Sequence, residues 1–314
     1  MSEKADKAEW VPSPETRQHL KELAETIAKG TNVCFITGAG LSVASGITPY
    51  RAKEGAIWDR FVTEWGTRRL FKRDPTEWWN GFWLRTHEKP EFLKAVPNAG
   101  HYAITDLVRI SGVNVVTQNI DGLHTRAGLC DDRLVQVHGQ LGRYKCVQTG
   151  CPYASSKVIT IPSLDDFAEE GTSMDGGNLR VTVPRCPGCT NPIMPLSLFF
   201  DEDYSSHVAF KWGTVHRWLG QSSVLVFVGT SFSVGVTSDA IGASHHDEKV
   251  IYNFNIVPED THPKSFMFRH IIGPSEETLP LLVKFIRECL HPKAKGGKRR
   301  PPRMYCWTQK GAGG

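Results

Sequence analysis

Short runs of unbroken apolar residues recur along the chain at Val33 to Thr37, Val113 to Thr117, Leu134 to Val137, Val224 to Val228, Val250 to Phe254 and His270 to Ile272. Each is too short for a buried helix and reads as a strand covered on both faces. Helical patterns separate most of them. Ser13-Pro14 opens the first helix, Leu20, Leu23 and Ile27 fall on its inner face, and Gly30 stops it. Glu276 to Leu290 forms the closing helix. Apolar strands alternating with helices predict an α/β fold built on a doubly wound parallel sheet. Two segments break the alternation: a Trp-rich helical stretch over about 53–97 and an insert over about 140–200.

The second insert carries Cys146 and Cys151, four residues apart, then Cys186 and Cys189, two apart. Paired thiolates on tight turns close a tetrahedron around zinc, and Pro187-Gly188 is turn chemistry of that kind. Four sulfurs leave no open coordination position, so one Zn2+ is expected to be structural. Four buried or disulfide-bonded cysteines are the plainer alternative. Cys34, Cys130, Cys289 and Cys306 show no such spacing.

At 314 residues the chain can form one large domain with inserts. The expected organisation is a flexible 1–12, a single domain over 13–292, and a tail over 293–314. The net charge of +4 is concentrated in that tail, where Lys293, Lys295, Lys298, Arg299, Arg300 and Arg303 stand among Gly and Pro. The tail is expected to be disordered, either a solvated end or a contact for a polyanion or an import receptor. No apolar run approaches membrane-spanning length, and the mixed-charge start resembles neither a secretory signal nor a transit peptide. Thiol knuckles need a reducing compartment, so nucleus or cytoplasm is expected. The oligomeric state leaves no trace in the sequence.

Candidate chemistry clusters at strand ends. The first strand runs into Gly38-Ala39-Gly40-Leu41-Ser42, a turn that lets backbone approach a pyrophosphate at a helix N-terminus. A third glycine and a ribose-binding acid about 20 residues on are missing, so an ordinary dehydrogenase is disfavoured. A tight packing turn would look similar. Next, Gln118, Asn119 and Asp121 leave the end of a buried strand together, where α/β sheets bind ligands. The amides suit ribose hydroxyls and Asp121 a carboxamide; helix capping is the bland reading. His138, before Gly139, opens toward the same crevice with an imidazole suited to general-base work. His124, inside a turn, reads as a structural hydrogen-bonder.

Taken together these segments resemble the sirtuins, NAD-dependent protein-lysine deacylases. The matching residues are Gly38 to Ser42, Ser45-Gly46-Ile47, Arg51, Pro97-Asn98 with His101, Thr117 to Gly128, Val137-His138-Gly139, the four cysteines, Phe199-Phe200 with Glu202, Gly229-Thr230-Ser231 and Asn255. They span about 20–290 in family order. The resemblance implies a Rossmann-type domain and a smaller zinc-ribbon plus helical domain, with NAD and acyl-lysine meeting between them. By position it assigns Gly38, Ala39, Gly40, Ser42, Tyr50, Arg51, Gln118, Asn119, Asp121, Gly229, Ser231 and Asn255 to NAD. It makes His138 and Asn119 catalytic, and gives Phe199, Phe200 and Glu202 to the substrate. Nicotinamide leaves the ribose, the acyl oxygen attacks the exposed carbon, and His138 takes a ribose proton, so NAD is consumed.

Three departures stand out. Pro49 replaces an acid of the family's cofactor loop and cannot accept a hydrogen bond. Asp201 follows Phe199-Phe200 where the family has glycine, adding negative charge to a segment expected to pair with substrate as a strand. The stretch Asp74 to Arg85 resembles the branch that removes succinyl and malonyl groups, which uses a Tyr and an Arg three residues apart; here the pair is Phe82 and Arg85. Core packing for Phe82 and a solvated helix position for Arg85 are the alternatives. An ADP-ribosyltransferase or NAD hydrolase on the same fold, or a non-catalytic zinc module binding chromatin, are the rival functions.

Overall fold

The computed structural model describes residues 10–47, 56–88, 90–174, 176–246, 249–256 and 267–292. Pro49, Tyr50, Arg51 and the basic tail from Lys293 lie outside them. Six parallel strands form the main sheet: β1 (Val33–Thr37), β2 (Asn114–Thr117), β3 (Leu134–Gln136), β7 (Val224–Val228), β8 (Val250–Asn255) and β9 (Arg269–Ile272). Their order, β3-β2-β1-β7-β8-β9, reverses direction of growth between β1 and β7. This is the doubly wound arrangement the apolar runs predict.

Alternation within each strand explains why both faces had to be apolar. Val33 and Phe35 of β1, with Val224, Val226 and Val228 of β7, pack against Leu20, Leu23, Leu107, Leu279 and Ile286. These come from the helices Pro14–Ala28, Ala99–Ser111 and Ser275–Leu290. Cys34 and Ile36, with Leu225 and Phe227, face the other way onto Val215, Leu219, Val236 and Ala240 from the helices Trp212–Gln221 and Gly235–His246. The first helix starts as its sequence requires, with the Ser13 hydroxyl accepting from the Thr16 N–H at 3.1 Å.

The two interrupting segments form one smaller body. Strands β4 (Gly139–Cys146), β5 (Ile159–Thr160) and β6 (Ile193–Ser197) make an antiparallel sheet in the order β5-β4-β6. The Trp-rich stretch folds into helices Ala56–Trp65, Arg68–Arg73 and Pro75–His87, the last widened into a π-helical turn at Trp78–Trp83. Trp78, Trp79, Phe82 and Trp83 share a core with Tyr144, Cys146, Cys151, Cys186 and Ile193. Polar bonds fix the docking: Trp79 Nε1 donates to Ile193 O, while Asn80 both donates to Val181 O and accepts from its N–H. A buried asparagine that satisfies a peptide group from both sides removes a cost of about 1–3 kcal/mol per orphaned group.

This packing sets the surroundings of the two residues expected to meet the acyl group. Phe82 is 1 % exposed, with ring centroids 5.1 Å from Trp78 and 5.8 Å from Phe61. Arg85 is exposed, in line with Glu77 and Gly81 on the helix's outward stripe, while Trp78, Trp79, Phe82, Trp83 and Thr86 turn inward. Three residues apart, the two are neighbours on the helix surface, Phe82 turned into the aromatic core and Arg85 toward the exposed stripe. Phe82→Tyr is expected to bury a hydroxyl among rings and lower stability by roughly 1–3 kcal/mol in denaturant unfolding. Arg85→Met should leave the ratio of succinyl-lysine to acetyl-lysine turnover within about twofold. An undiminished stability together with a raised succinyl preference in Phe82→Tyr would restore the pocket.

Candidate active site

The C-terminal ends of five neighbouring strands converge at one edge of the sheet, beside its switch point, where open α/β sheets hold ligands. Here the turns after β1 and β7 touch. Gly38 N–H donates to Val228 O at 2.9 Å and Gly40 N–H to Gly229 O at 2.8 Å. A Cβ on Gly38 would lie 2.8 Å from Gly229 O, one on Gly40 2.7 Å from Gly229 Cα, and one on Gly229 2.5 Å from Leu41 N. Only three glycines permit this approach. Asn98, which caps the helix Ala99–Ser111, braces the turn by donating to Leu41 O and Ser45 Oγ.

The polar residues after β2 close against that turn. Asn119, 9 % exposed, donates from Nδ2 to Gly38 O at 3.0 Å and to Ser42 Oγ at 3.1 Å. Ser42 passes its own proton to Asp121 Oδ2 at 2.6 Å, and Asp121 Oδ1 accepts from Leu123 N. Burial raises the Asp121 carboxyl above its ordinary range; those two bonds and the Arg126 guanidinium oppose it. Gln118 bonds Thr230 across the crevice. Ser231 is exposed beside it, bonded to Ser233, and Asn255 ends β8 with its side-chain oxygen on Ile256 N. Ala39 lies half-buried at the head of the turn.

His138 stands at the end of β3. Its Nδ1 lies 2.9 Å from Gln118 O, and a carbonyl only accepts, so Nδ1 carries the proton and Nε2 keeps its lone pair. Burial pushes its pKa down to about 4, opposed by that bond to Gln118. The ring is therefore neutral near pH 7, with its Nε2 lone pair present. The next residue is forced to be glycine: Gly139 has φ +90°, and its Cβ would fall 1.8 Å from Leu196 O. Nε2 lies 3.3 Å from the Tyr204 hydroxyl.

The segment after β6, expected to meet the substrate, is held by contacts of its own. Phe199 is buried against Trp78, whereas Phe200 is 60 % exposed and its N–H donates to Gly66 O. Glu202 bonds Lys145, itself 2 % exposed, in a buried ion pair, and also accepts from Phe199 N. Burial lowers the Lys145 pKa and Glu202 opposes it. The two carboxylate oxygens of Asp201 accept from Arg68 N and Arg69 N at a helix start, so its charge also serves that helix. Tyr204 and Lys145 were not singled out from the sequence. Tyr204 is one aromatic in the polar run Asp201 to Ser206, and Lys145 looks like any outward strand lysine.

The four cysteines converge in the small body, with all four Sγ atoms within 4.8 Å of one another. Cys146 to Cys189 is 3.4 Å and Cys151 to Cys186 is 3.7 Å. A tetrahedron of Zn–S bonds of about 2.3 Å has edges of roughly 3.8 Å, so the thiols fit zinc. Gln148 N, Gly188 N and Asn191 Nδ2 each aim an N–H at a sulfur, as thiolates require.

The relationships of the chain agree with this geometry. The Sir2 family profile matches residues 38–236. An NAD-dependent deacetylase, sir2E, of Dictyostelium discoideum is 44% identical over 85% of this chain and 77% of its own length. An NAD-dependent protein deacylase of Pyrococcus furiosus is 30% identical over 85% of this chain and 98% of its own. Among solved structures, a Sir2 homologue variant bound to ADP-ribose superposes with a TM-score of 0.69 at 25% identity, covering 87% and 99% of the two chains. The chain belongs to the Sir2 family, the sirtuins.

Two expectations follow. Chelation of zinc, or Cys186→Ser, should unfold the small body, because the metal supplies much of such a module's stability. Tryptophan fluorescence will report it, since Trp78 and Trp79 share the cysteines' core. A metal-free protein with its fluorescence and activity intact would show the site misassigned. The second concerns His101 and His124, whose buried rings lie 5.2 Å apart. Nε2 of the first and Nδ1 of the second have no partner among the described residues. Burial holds their pKa values down to about 4 and about 3, against 6.5 in an unfolded chain. Below pH 6.5 the unfolded state binds protons the native state refuses, so stability is full above that pH and falls steadily as pH drops toward the native values. The melting temperature should decline below pH 6.5. Ring signals of both histidines in NMR should stay untitrated down to pH 5, and titration of either near 6.5 would contradict the assignment.

Proposed function

We propose that the protein removes acyl groups from protein lysines with consumption of NAD and one water, releasing nicotinamide, O-acyl-ADP-ribose and free lysine. The observation that carries this is His138, whose Nδ1 is held on Gln118 O so that Nε2 keeps its lone pair, on a strand end next to the one that carries the Asn119, Ser42 and Asp121 network. The relatives named as NAD-dependent deacetylases and deacylases support the same reading.

NAD supplies a ribose carbon that becomes electrophilic as nicotinamide departs. The chain's own residues then divide the work. The three-glycine contact holds the turn after β1 against the turn after β7, and the Ala39–Ser45 turn would present its backbone N–H groups to the pyrophosphate. Asn119 Nδ2 is already engaged, so its carbonyl oxygen is the end free to accept from water or a ribose hydroxyl among the described residues. His138 draws a proton onto Nε2 while Gln118 O holds the other face of the ring. A single-displacement hydrolase or ADP-ribosyltransferase would use the same pocket without forming an O-acyl product.

His138→Ala should reduce deacylation of an acetyl-lysine peptide by roughly 100-fold or more, with NAD affinity kept within a few-fold. Mass spectrometry of the parent reaction should find O-acyl-ADP-ribose in step with nicotinamide. Nicotinamide without the acylated product, or a His138→Ala variant of near-parental rate, would overturn the reading.

A further inference from the structure

The lone pair on His138 Nε2 has an occupant. The Tyr204 hydroxyl lies 3.3 Å from it, and Val236 N–H donates to the same hydroxyl oxygen at 3.1 Å. The oxygen thus serves the peptide N–H as acceptor, and its proton is left to point at the imidazole. The tyrosine ring is clamped as well. It stacks on Trp212 at 4.1 Å and 14°, and lies nearly parallel to His138 at 5.8 Å and 20°. Gly235, at the start of the helix Gly235–His246, makes room for the ring: a Cβ there would come within 3.1 Å of Tyr204 Cε2. A mere packing contact would leave the hydroxyl in solvent, whereas here both its donor and its acceptor functions are engaged.

We propose that Tyr204 is a latch on the catalytic base, its hydroxyl holding His138 Nε2 until a ribose hydroxyl of NAD displaces it. Resting on the deacylase reading, this adds a positioning residue to it. One lone pair cannot serve two donors, so the tyrosine and the ribose compete. The latch keeps the imidazole neutral and aimed, and the protein binds NAD more weakly than it would with the base free. No covalent step is involved. The proton stays on tyrosine oxygen, and displacement exchanges one O–H···N bond for another. Burial raises the Tyr204 pKa, the Val236 N–H opposes it and the Asp239 carboxylate adds to it, so the phenol stays protonated and able to donate.

The test compares the parent with Tyr204→Phe, which keeps the stacked ring and removes the hydroxyl. NAD dissociation constants by calorimetry should fall roughly two- to tenfold, the range of one neutral hydrogen bond. In steady state KM for NAD should fall in parallel, while kcat at saturating NAD and peptide stays within about twofold, because the latch is already open in the loaded enzyme. Gly235→Ala, which pushes the ring by a few tenths of an ångström, should move KM the same way by a smaller factor; it keeps the test open if Tyr204→Phe folds poorly, as circular dichroism would show. Unchanged affinity in both variants, or a kcat drop of tenfold or more at constant KM, would overturn the latch. A parent that binds NAD but forms no O-acyl-ADP-ribose would sink the deacylase reading alone, since the binding comparison still decides on Tyr204. A parent without NAD binding would sink both.

Discussion

Everything at the site depends on the absence of three β-carbons where the turns after β1 and β7 meet. The sheet changes its direction of growth there, and its two halves can share a crevice only if the turns approach to backbone contact. Any side chain on Gly38, Gly40 or Gly229 would sit inside 3.0 Å of the opposing main chain. Separating the turns would break the bonds from Gly38 and Gly40, and with them the position of the carbonyl that holds Asn119. The chain thus meets its packing requirement at the same glycines that the proposed function gives to the cofactor. That explains why the dinucleotide fingerprint can lack its third glycine here: close approach is secured by Gly229, far away in sequence.

Polar groups around this contact are buried and therefore need partners. Asn119, Ser42, Asp121 and Leu123 N form one chain of donors and acceptors, which lets a half-buried carboxyl persist near the cofactor turn. Lys145 and Glu202 solve a harder version of the problem in the small body. Lys145 also donates to Ser197 O and stands 5.3 Å from the Phe199 and Phe210 rings. Removing either partner would leave an uncompensated charge, commonly costing about 3–5 kcal/mol, although the pair itself adds little net stability. Its effect is to fix where the Phe199–Glu202 segment runs.

The sheet was legible from the sequence because both faces of each strand are covered, so apolar runs appear without interruption. All six lie within a residue of their expected bounds. The cysteine spacing was legible for a similar reason, since tight turns impose short intervals. The acyl pair was not. Phe82 and Arg85 sit at a plausible spacing, yet side-chain direction is set by which helix face meets the aromatic core, and that face is known only once β4 and β6 are in place. The partners of Asp201 were hidden in the same manner: its carboxylate accepts from N–H groups of residues 68 and 69, more than a hundred positions earlier. The Tyr204 contact likewise joins residues 66 positions apart and has no local signature.

His138 stands at a point where the large and small bodies are continuous in both chain and hydrogen bonding. Its side chain is held by Gln118 O from the end of β2, while its main-chain oxygen accepts from Leu198 N beyond β6. The following residue enters β4, and Gly139 lies so close to Leu196 O that the crossing has no room to shift sideways. Tyr204 reaches the same imidazole from the segment that leaves the small body for the helix Trp212–Gln221. A rotation between the two bodies would therefore pivot near the base and leave Nδ1 on its carbonyl, while altering the approach of whatever meets Nε2. Anchoring Nδ1 to the carbonyl of Gln118 fixes the tautomer, while Nε2 meets a group supplied from the far side of the small body, so the two ring nitrogens answer to different parts of the fold.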